Sequence, residues 1–148
     1  MSEDLRFERV IDAPPETVFD AFTSPGGQAA FYGQDDPGWI VRSICDLRVG
    51  GIWAVTFGPT DTHLYRHRHL FQAIDRPGRI LMITKEFRID GSTVDFTSEF
   101  TFADQNGRTL MTMIQTGFPT AELREEHGRG VVNAFNRLEH FTRTMGVP

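Results

Sequence analysis

The sequence predicts an α+β domain in which an antiparallel sheet of about six to seven strands wraps around one long C-terminal helix, with two short helices after the first strand. Three observations carry this. Turn signals recur at strand spacing from Trp39 to about Thr116, apolar positions change to helical period after Thr120, and a Pro-Pro pair cuts off the first strand and opens a helix. The 148 residues suit one domain, 1–148, and no linker, repeat or low-complexity stretch divides them.

Leu5 to Ile11 alternates, with Leu5, Phe7, Arg9 and Ile11 on one face and Arg6, Glu8 and Val10 on the other, which predicts a strand. Asp12-Ala-Pro-Pro15 ends it. Pro15 suits the first turn of a helix, where a missing N–H costs nothing, and Glu16 suits the positive end of the helix dipole. Val18, Phe19 and Phe22 give this helix an apolar side. Ser24-Pro25, an N-cap followed by proline, starts a second helix reaching about Tyr32, which Gly26 and Gly27 intrinsically weaken. Gly50-Gly51, Gly58-Pro59, Pro77-Gly78, Asp90-Gly91 and Asn106-Gly107 then punctuate an antiparallel meander. Its clearest strand is Val94 to Phe102, where Val94, Phe96, Ser98, Phe100 and Phe102 share one face. Asn106-Gly107 is a two-residue hairpin signal leading into Thr109–Thr116. Leu123, His127, Val131, Ala134, Phe135, Leu138, Phe141 and Met145 then recur at helical period. A helix of roughly 25 residues, about 37 Å long, would cross the whole sheet.

Thirteen Phe, two Trp and two Tyr supply large rings suited to lining a cavity between sheet and helix. A net charge of −5 with no run of Lys or Arg argues against a nucleic-acid or anionic-membrane surface. A single cysteine, Cys45, allows no internal disulfide and, in a β-like run with Val41 and Ile44, reads as an inert thiol. Met1-Ser-Glu-Asp-Leu-Arg6 has neither the basic nor the apolar region of a secretory signal, and no window is apolar for long enough to span a bilayer. The expected location is cytoplasmic, without membrane insertion.

The order of elements, together with Asp12-Ala-Pro-Pro-Glu16, Phe22-Thr-Ser-Pro25, Asp46-Leu-Arg-Val-Gly-Gly-Ile-Trp53, Pro77-Gly-Arg-Ile80, Gln115-Thr-Gly-Phe-Pro119 and His127-Gly-Arg-Gly130, resembles the START-like (SRPBCC) superfamily. More narrowly, the chain is similar to the bacterial activator of Hsp90 ATPase homolog 1-like family. The resemblance implies a helix-grip (START/Bet v 1-like) fold. It also implies one of several activities, from lipid and hormone carriage to polyketide cyclisation to chaperone activation. Two positions depart from the relatives: Gly130-Val131 stands where many have Gly-Trp, and His69 where a glycine is common.

The unusual stretch is His63-Leu-Tyr-Arg-His-Arg-His-Leu-Phe71. On a strand it places His63, Tyr65, His67, His69 and Phe71 on one face, and Leu64, Arg66, Arg68 and Leu70 on the other. If the odd face looks inward, a cavity gains three imidazoles; if outward, this is a solvated strand. His67 and His69 are the candidate acid–base groups, with Glu86 or Asp95 to orient them. They could also ligate a metal, with His63, Glu86 or Glu99 as third ligand, but the usual Cys/His spacing is missing and neither a metal nor a cofactor is expected. Trp53, Phe57, Tyr65, His67, His69, Phe71 and Phe100, facing Val131, Phe135 and Leu138, are the expected ligand-binding residues. Asp46 and Arg48 read as a rim pair, and Gly50-Gly51 as a turn, since no Lys-Ser/Thr or helix follows.

The sequence favours binding of a small apolar or aromatic molecule. Paired carboxylates, a nucleophile with its base and a cofactor loop are all missing as motifs. A cyclase, dehydratase or hydrolase using His67 or His69 is the alternative, and an Hsp90-type chaperone partner follows from the resemblance alone. Exposed sheet edges would allow a homodimer.

Overall fold

The computed structural model describes residues 4–33 and 39–144. The elements run β1 (Leu5–Ile11), α1 (Pro15–Thr23), α2 (Pro25–Phe31), β2 (Ile40–Cys45), β3 (Ile52–Thr60), β4 (His63–Asp75), β5 (Arg79–Phe87), β6 (Thr93–Gln105), β7 (Arg108–Thr116) and α3 (Ala121–Thr144). Met145, expected to end the apolar stripe of the last helix, lies outside the described residues. From β2 to β7 each strand pairs antiparallel with the next, and β1 closes on β7, giving the order β1-β7-β6-β5-β4-β3-β2. The sheet curls around α3 as a half-barrel, the helix-grip arrangement.

Alternation drives the sheet. Val94, Phe96, Ser98, Phe100 and Phe102 are all buried on the concave face of β6, whereas Asp95 and Glu99 pair outside with Lys85 and Arg79. The hairpin to β7 turns on Asn106 and Gly107, with φ of 56° and 87°, the left-handed pair that a type I′ turn requires. On α3, Val131, Ala134, Phe135, Leu138 and Thr142 are buried, one helical face over 24 residues.

The core forms where this face, α1 and the concave sheet meet. Phe22 of α1 has its ring centre 4.6 Å from Phe100 and 5.6 Å from Trp53, and Phe71, Met82, Met113, Phe135 and Leu138 belong to the same cluster. Each such side chain, fully buried, contributes about 1.5–3 kcal/mol. Ser24 serves both short helices: its hydroxyl donates to the Ala21 carbonyl at 2.8 Å and accepts the Gly27 N–H at 3.0 Å.

One expected turn is absent. Gly58 and Pro59 lie inside β3, where the register with β4 shifts between Phe57 and Thr60, and the chain reverses at Asp61–Thr62 instead. A Cβ on Gly58 would stand 2.1 Å from the His63 carbonyl oxygen. This glycine therefore permits a close approach of two strands, and the irregularity tolerates a proline that has no N–H to give the ladder.

Candidate functional site

On β4, His67, His69 and Phe71 are buried and Tyr65 is half-buried, while Arg66 and Arg68 are exposed. The odd face thus looks inward from Tyr65 onward. His63 breaks from it: at the outer end of the strand it is exposed, with Nδ1 at 2.9 Å from the Thr60 hydroxyl and 3.0 Å from that of Thr62.

Strand register assembles the rest. His67 lies opposite Glu86, His69 opposite Thr84 and Phe71 opposite Met82; farther along, Ser98 lies opposite Gln115, and Phe100 opposite Met113. The concave face is therefore polar toward one end and apolar toward the other. Tyr32, following α2, and His127, from α3, close over the polar end.

The Glu86 carboxylate is the hub. His67 Nε2 approaches Oε1 at 3.2 Å, and His127 Nε2 and Arg88 Nη1 approach Oε2 at 2.9 and 3.1 Å. Arg88 Nη2 continues to Glu126 at 2.7 Å. On the other side, the Tyr32 hydroxyl lies 2.8 Å from His67 Nδ1 and 2.9 Å from His69 Nε2. His69 Nδ1 meets the Thr84 hydroxyl at 2.7 Å.

Protonation states follow from burial and these partners. Burial alone would raise the Glu86 carboxyl, but the donors on His127 and His67 outweigh it and hold it well below the usual carboxylate range. Burial lowers His67 despite the neighbouring carboxylate, and burial with the charge of His67 pushes His69 well down. Burial, then the Glu86 charge, raises the Tyr32 phenol. At neutral pH Glu86 is therefore an acceptor only, and His67 donates to it from Nε2. His67 Nδ1 must then accept from the Tyr32 O–H, whose oxygen in turn accepts from His69 Nε2–H.

A pocket of about 290 Å³ opens between this network, α3 and Trp39. Phe57, Tyr65, His67 and Val131, four of the expected ligand-binding residues, stand on its wall with Phe31, Tyr32, Trp39, Glu86 and His127. Trp53, Phe71, Phe100, Phe135 and Leu138 belong instead to the hydrophobic core. Sheet-on-helix packing consumes that apolar stripe and leaves the pocket to the polar end. His69 lies beneath the wall, 3% exposed, with its ring centre 4.5 Å from that of Trp53.

Of the candidate partners for His67 and His69, only Glu86 joins them. Glu99 and Asp95 face outward, and His63 is at the strand end. Among the described residues, no group of three His, Cys, Asp or Glu side chains is placed to hold a metal ion. Asp46 and Arg48 pair at 2.7 Å on the exposed rim. The Gly50 N–H is spent on the Phe71 carbonyl at 2.9 Å, consistent with a turn and not an anion cradle. Cys45 is half-buried, and burial raises its thiol away from reactivity. No helix among the described residues is long and apolar enough to cross a membrane.

Reasoning from sequence missed Tyr32, Thr84, Arg88 and Glu126 as members of the network. Thr84 carried a signal: Ile80, Met82, Thr84 and Glu86 alternate inward on β5. Tyr32 carried none, because it lies in the irregular chain after α2. His127 was visible as a polar residue in an otherwise apolar helical stripe.

Comparison with solved structures returns the same architecture. A protein from Chromobacterium violaceum superposes with a TM-score of 0.82 at 23% identity, over 94% of this chain and 96% of that one. A Mycobacterium smegmatis protein gives 0.77 at 21% identity over 93% and 88%. The AHSA1-like protein from Aeromonas hydrophila gives 0.73 at 18% identity over 99% and 96%. At these identities the likeness establishes the fold alone. Comparison with curated proteins returns no match. The family model described as activator of Hsp90 ATPase homolog 1-like protein matches residues 12–142, nearly the whole of the fold just described, and the chain belongs to that family.

Proposed function

We propose that this protein binds a small apolar or aromatic molecule in the pocket between the concave sheet and α3. The observation that carries this reading is the make-up of the wall: the rings of Phe31, Trp39, Phe57 and Tyr65 surround a few converging polar groups on Tyr32, His67, Glu86 and His127. Ligand sites are typically apolar clefts with a small number of placed polar groups. A volume of about 290 Å³ is near the lower end of the usual roughly 300–1,000 Å³, so the ligand is small. Binding is favoured over turnover by His67 or His69 because both nitrogens of each ring are hydrogen-bonded within the protein, leaving neither a free lone pair.

The test is a thermal-shift panel of aromatic, terpenoid and short fatty-acid compounds, with native mass spectrometry on the hits. A ligand at about 100 times its Kd adds about 2.7 kcal/mol, which for a domain of this size raises Tm by about 5–10 °C. No shift and no bound mass across the panel would reject the reading.

A further inference from the structure

Strand β2 ends the sheet on one side, and among the described residues only β3 pairs with it. Their ladder continues one residue past the strand, where the Asp46 N–H donates to the Ile52 carbonyl at 3.0 Å. Bonding alternates along an antiparallel strand, so Arg42 and Ile44, in step with Asp46, direct their backbone groups to β3. Val41, Ser43 and Cys45 therefore turn theirs to the free edge. Side chains alternate as well: Arg42, Ile44 and Asp46 are exposed on the convex face, and Val41, Ser43 and Cys45 are half-buried on the other. Ile44 is 78% exposed, the most of any large apolar side chain among the described residues, and Leu47 and Val49 just beyond it are 42 and 62% exposed. The opposite edge differs, since β1 shows water Arg6 and Glu8, paired with each other. Charge blunts an edge, whereas a free edge beside an apolar cluster is a template for another strand.

Charge selects a second copy of the same edge as that strand. Identical strands related by a two-fold axis pair antiparallel, so each register is defined by the residue on the axis. With Arg42 there, guanidinium would face guanidinium; with Asp46 there, carboxylate would face carboxylate. With Ser43 on the axis Arg42 would face Ile44, and with Cys45 on it Arg42 would face Arg48. With Ile44 on the axis, Arg42 of each chain faces Asp46 of the other and the two Ile44 side chains meet. Ile44 then takes a non-hydrogen-bonded position, where opposite side chains come closest, and Ser43 of each chain exchanges backbone bonds with Cys45 of the other. Arg42 has no ion-pair partner among the described residues. Asp46, held by Arg48 at 2.7 Å, retains lone pairs for a second donor.

We propose that this chain forms a two-fold homodimer through β2, with Ile44 on the axis and Arg42 of each chain paired with Asp46 of the other, so that one continuous sheet runs through both. The pocket lies on the concave face, and the dimer does not depend on what it binds. The test is sedimentation velocity over a dilution series, on the wild type and on charge reversals. Wild-type protein should pass from monomer to dimer as its concentration rises. Arg42→Asp and Asp46→Arg each turn two attractive cross-strand pairs into repulsive ones, which should weaken self-association roughly 10-fold or more. Mixed together, these two variants present opposite charges to each other at both pairs and should associate about as tightly as the wild type. The Arg42→Asp/Asp46→Arg double variant should do so with itself. Hydrogen exchange supplies a second readout on the unaltered protein: the Ser43 and Cys45 amides should exchange more slowly as the dimer fills. A chain that stays monomeric up to about 0.5 mM, a dimer indifferent to both single reversals, or Ser43 and Cys45 amides that exchange at the same rate in monomer and dimer would overturn the proposal.

Discussion

Glu86 sets the direction of every hydrogen bond in the interior network. Since it only accepts, the polarity passes from His67 to Tyr32 to His69 and on to Thr84, whose hydroxyl donates to His69 Nδ1. The Thr84 oxygen is then left to accept from Ser98 at 3.4 Å, and Ser98 accepts from Gln115 Nε2 at 3.2 Å. Tyr32 is the only member that both donates to one histidine and accepts from another, so its hydroxyl joins the two halves. Tyr32→Phe strands His67 Nδ1 and His69 Nε2–H, and a stranded buried group costs about 1–3 kcal/mol. His67 is on the pocket wall, where water can replace the phenol, whereas His69 is 3% exposed. The expected loss is therefore one group's worth, about 1–3 kcal/mol in urea denaturation; a loss below about 0.5 kcal/mol, the range of surface substitutions, would mean that the link through Tyr32 is not holding the network. Reading the sequence could find His67, His69 and Glu86, because a strand's two-residue period places them once its face is known. It could not find Tyr32, whose position depends on Arg137 of α3 donating to the carbonyls of Ala30 and Phe31 at 2.7 and 3.0 Å, a contact between residues more than one hundred positions apart.

Local propensity explains most of the elements but misreads two of the glycines. Strands β4 to β7 and helix α3 follow from period and turn chemistry, since one face of each is buried and the other wet. Gly27 reads as a weakness in α2, yet a Cβ there would stand 1.8 Å from the Ala21 carbonyl oxygen; α1 and α2 can meet this closely only because the side chain is missing. Gly58 is likewise a packing requirement and not a turn. Gly130 in α3 is the contrasting case, with nothing within 4 Å of an added Cβ. Helix propensity favours alanine over glycine by about 1 kcal/mol at either site. Gly130→Ala should thus stabilise by about 0.4–1 kcal/mol, whereas Gly27→Ala should destabilise by about 1–3 kcal/mol or more as overpacking outweighs propensity. Thermal melts of the two variants decide this, and a gain in both would show that α2 can shift away from α1 without cost.

The architecture as a whole depends on one pairing that no local signal announces, β1 on β7, with Phe7 opposite Met113 and Ile11 opposite Thr109. It completes the curl of the sheet and so encloses both the core and the polar band. Burying a band of titratable groups inside a domain couples its stability to pH, and the sign follows from the direction of each shift. His67 and His69 are depressed in the folded state relative to about 6.5 in an unfolded chain. Above that pH they are neutral in both states and the fold has its full stability. As pH falls below about 6.5, the unfolded chain takes up protons that the folded one resists, and stability declines. Glu86 is depressed as well, so its contribution is complete above the unfolded carboxyl value of about 4.3 and is lost below it. Denaturation measured from pH 8 to pH 4 should therefore show little change down to about pH 7, a first decline beginning near 6.5 and a steeper one below about 4.5. In the His67→Gln/His69→Gln double variant, less stable at neutral pH because the network is broken, the first decline should shrink while the second persists. Parallel curves for the two proteins between pH 7 and pH 5 would show that the buried imidazoles do not control acid sensitivity.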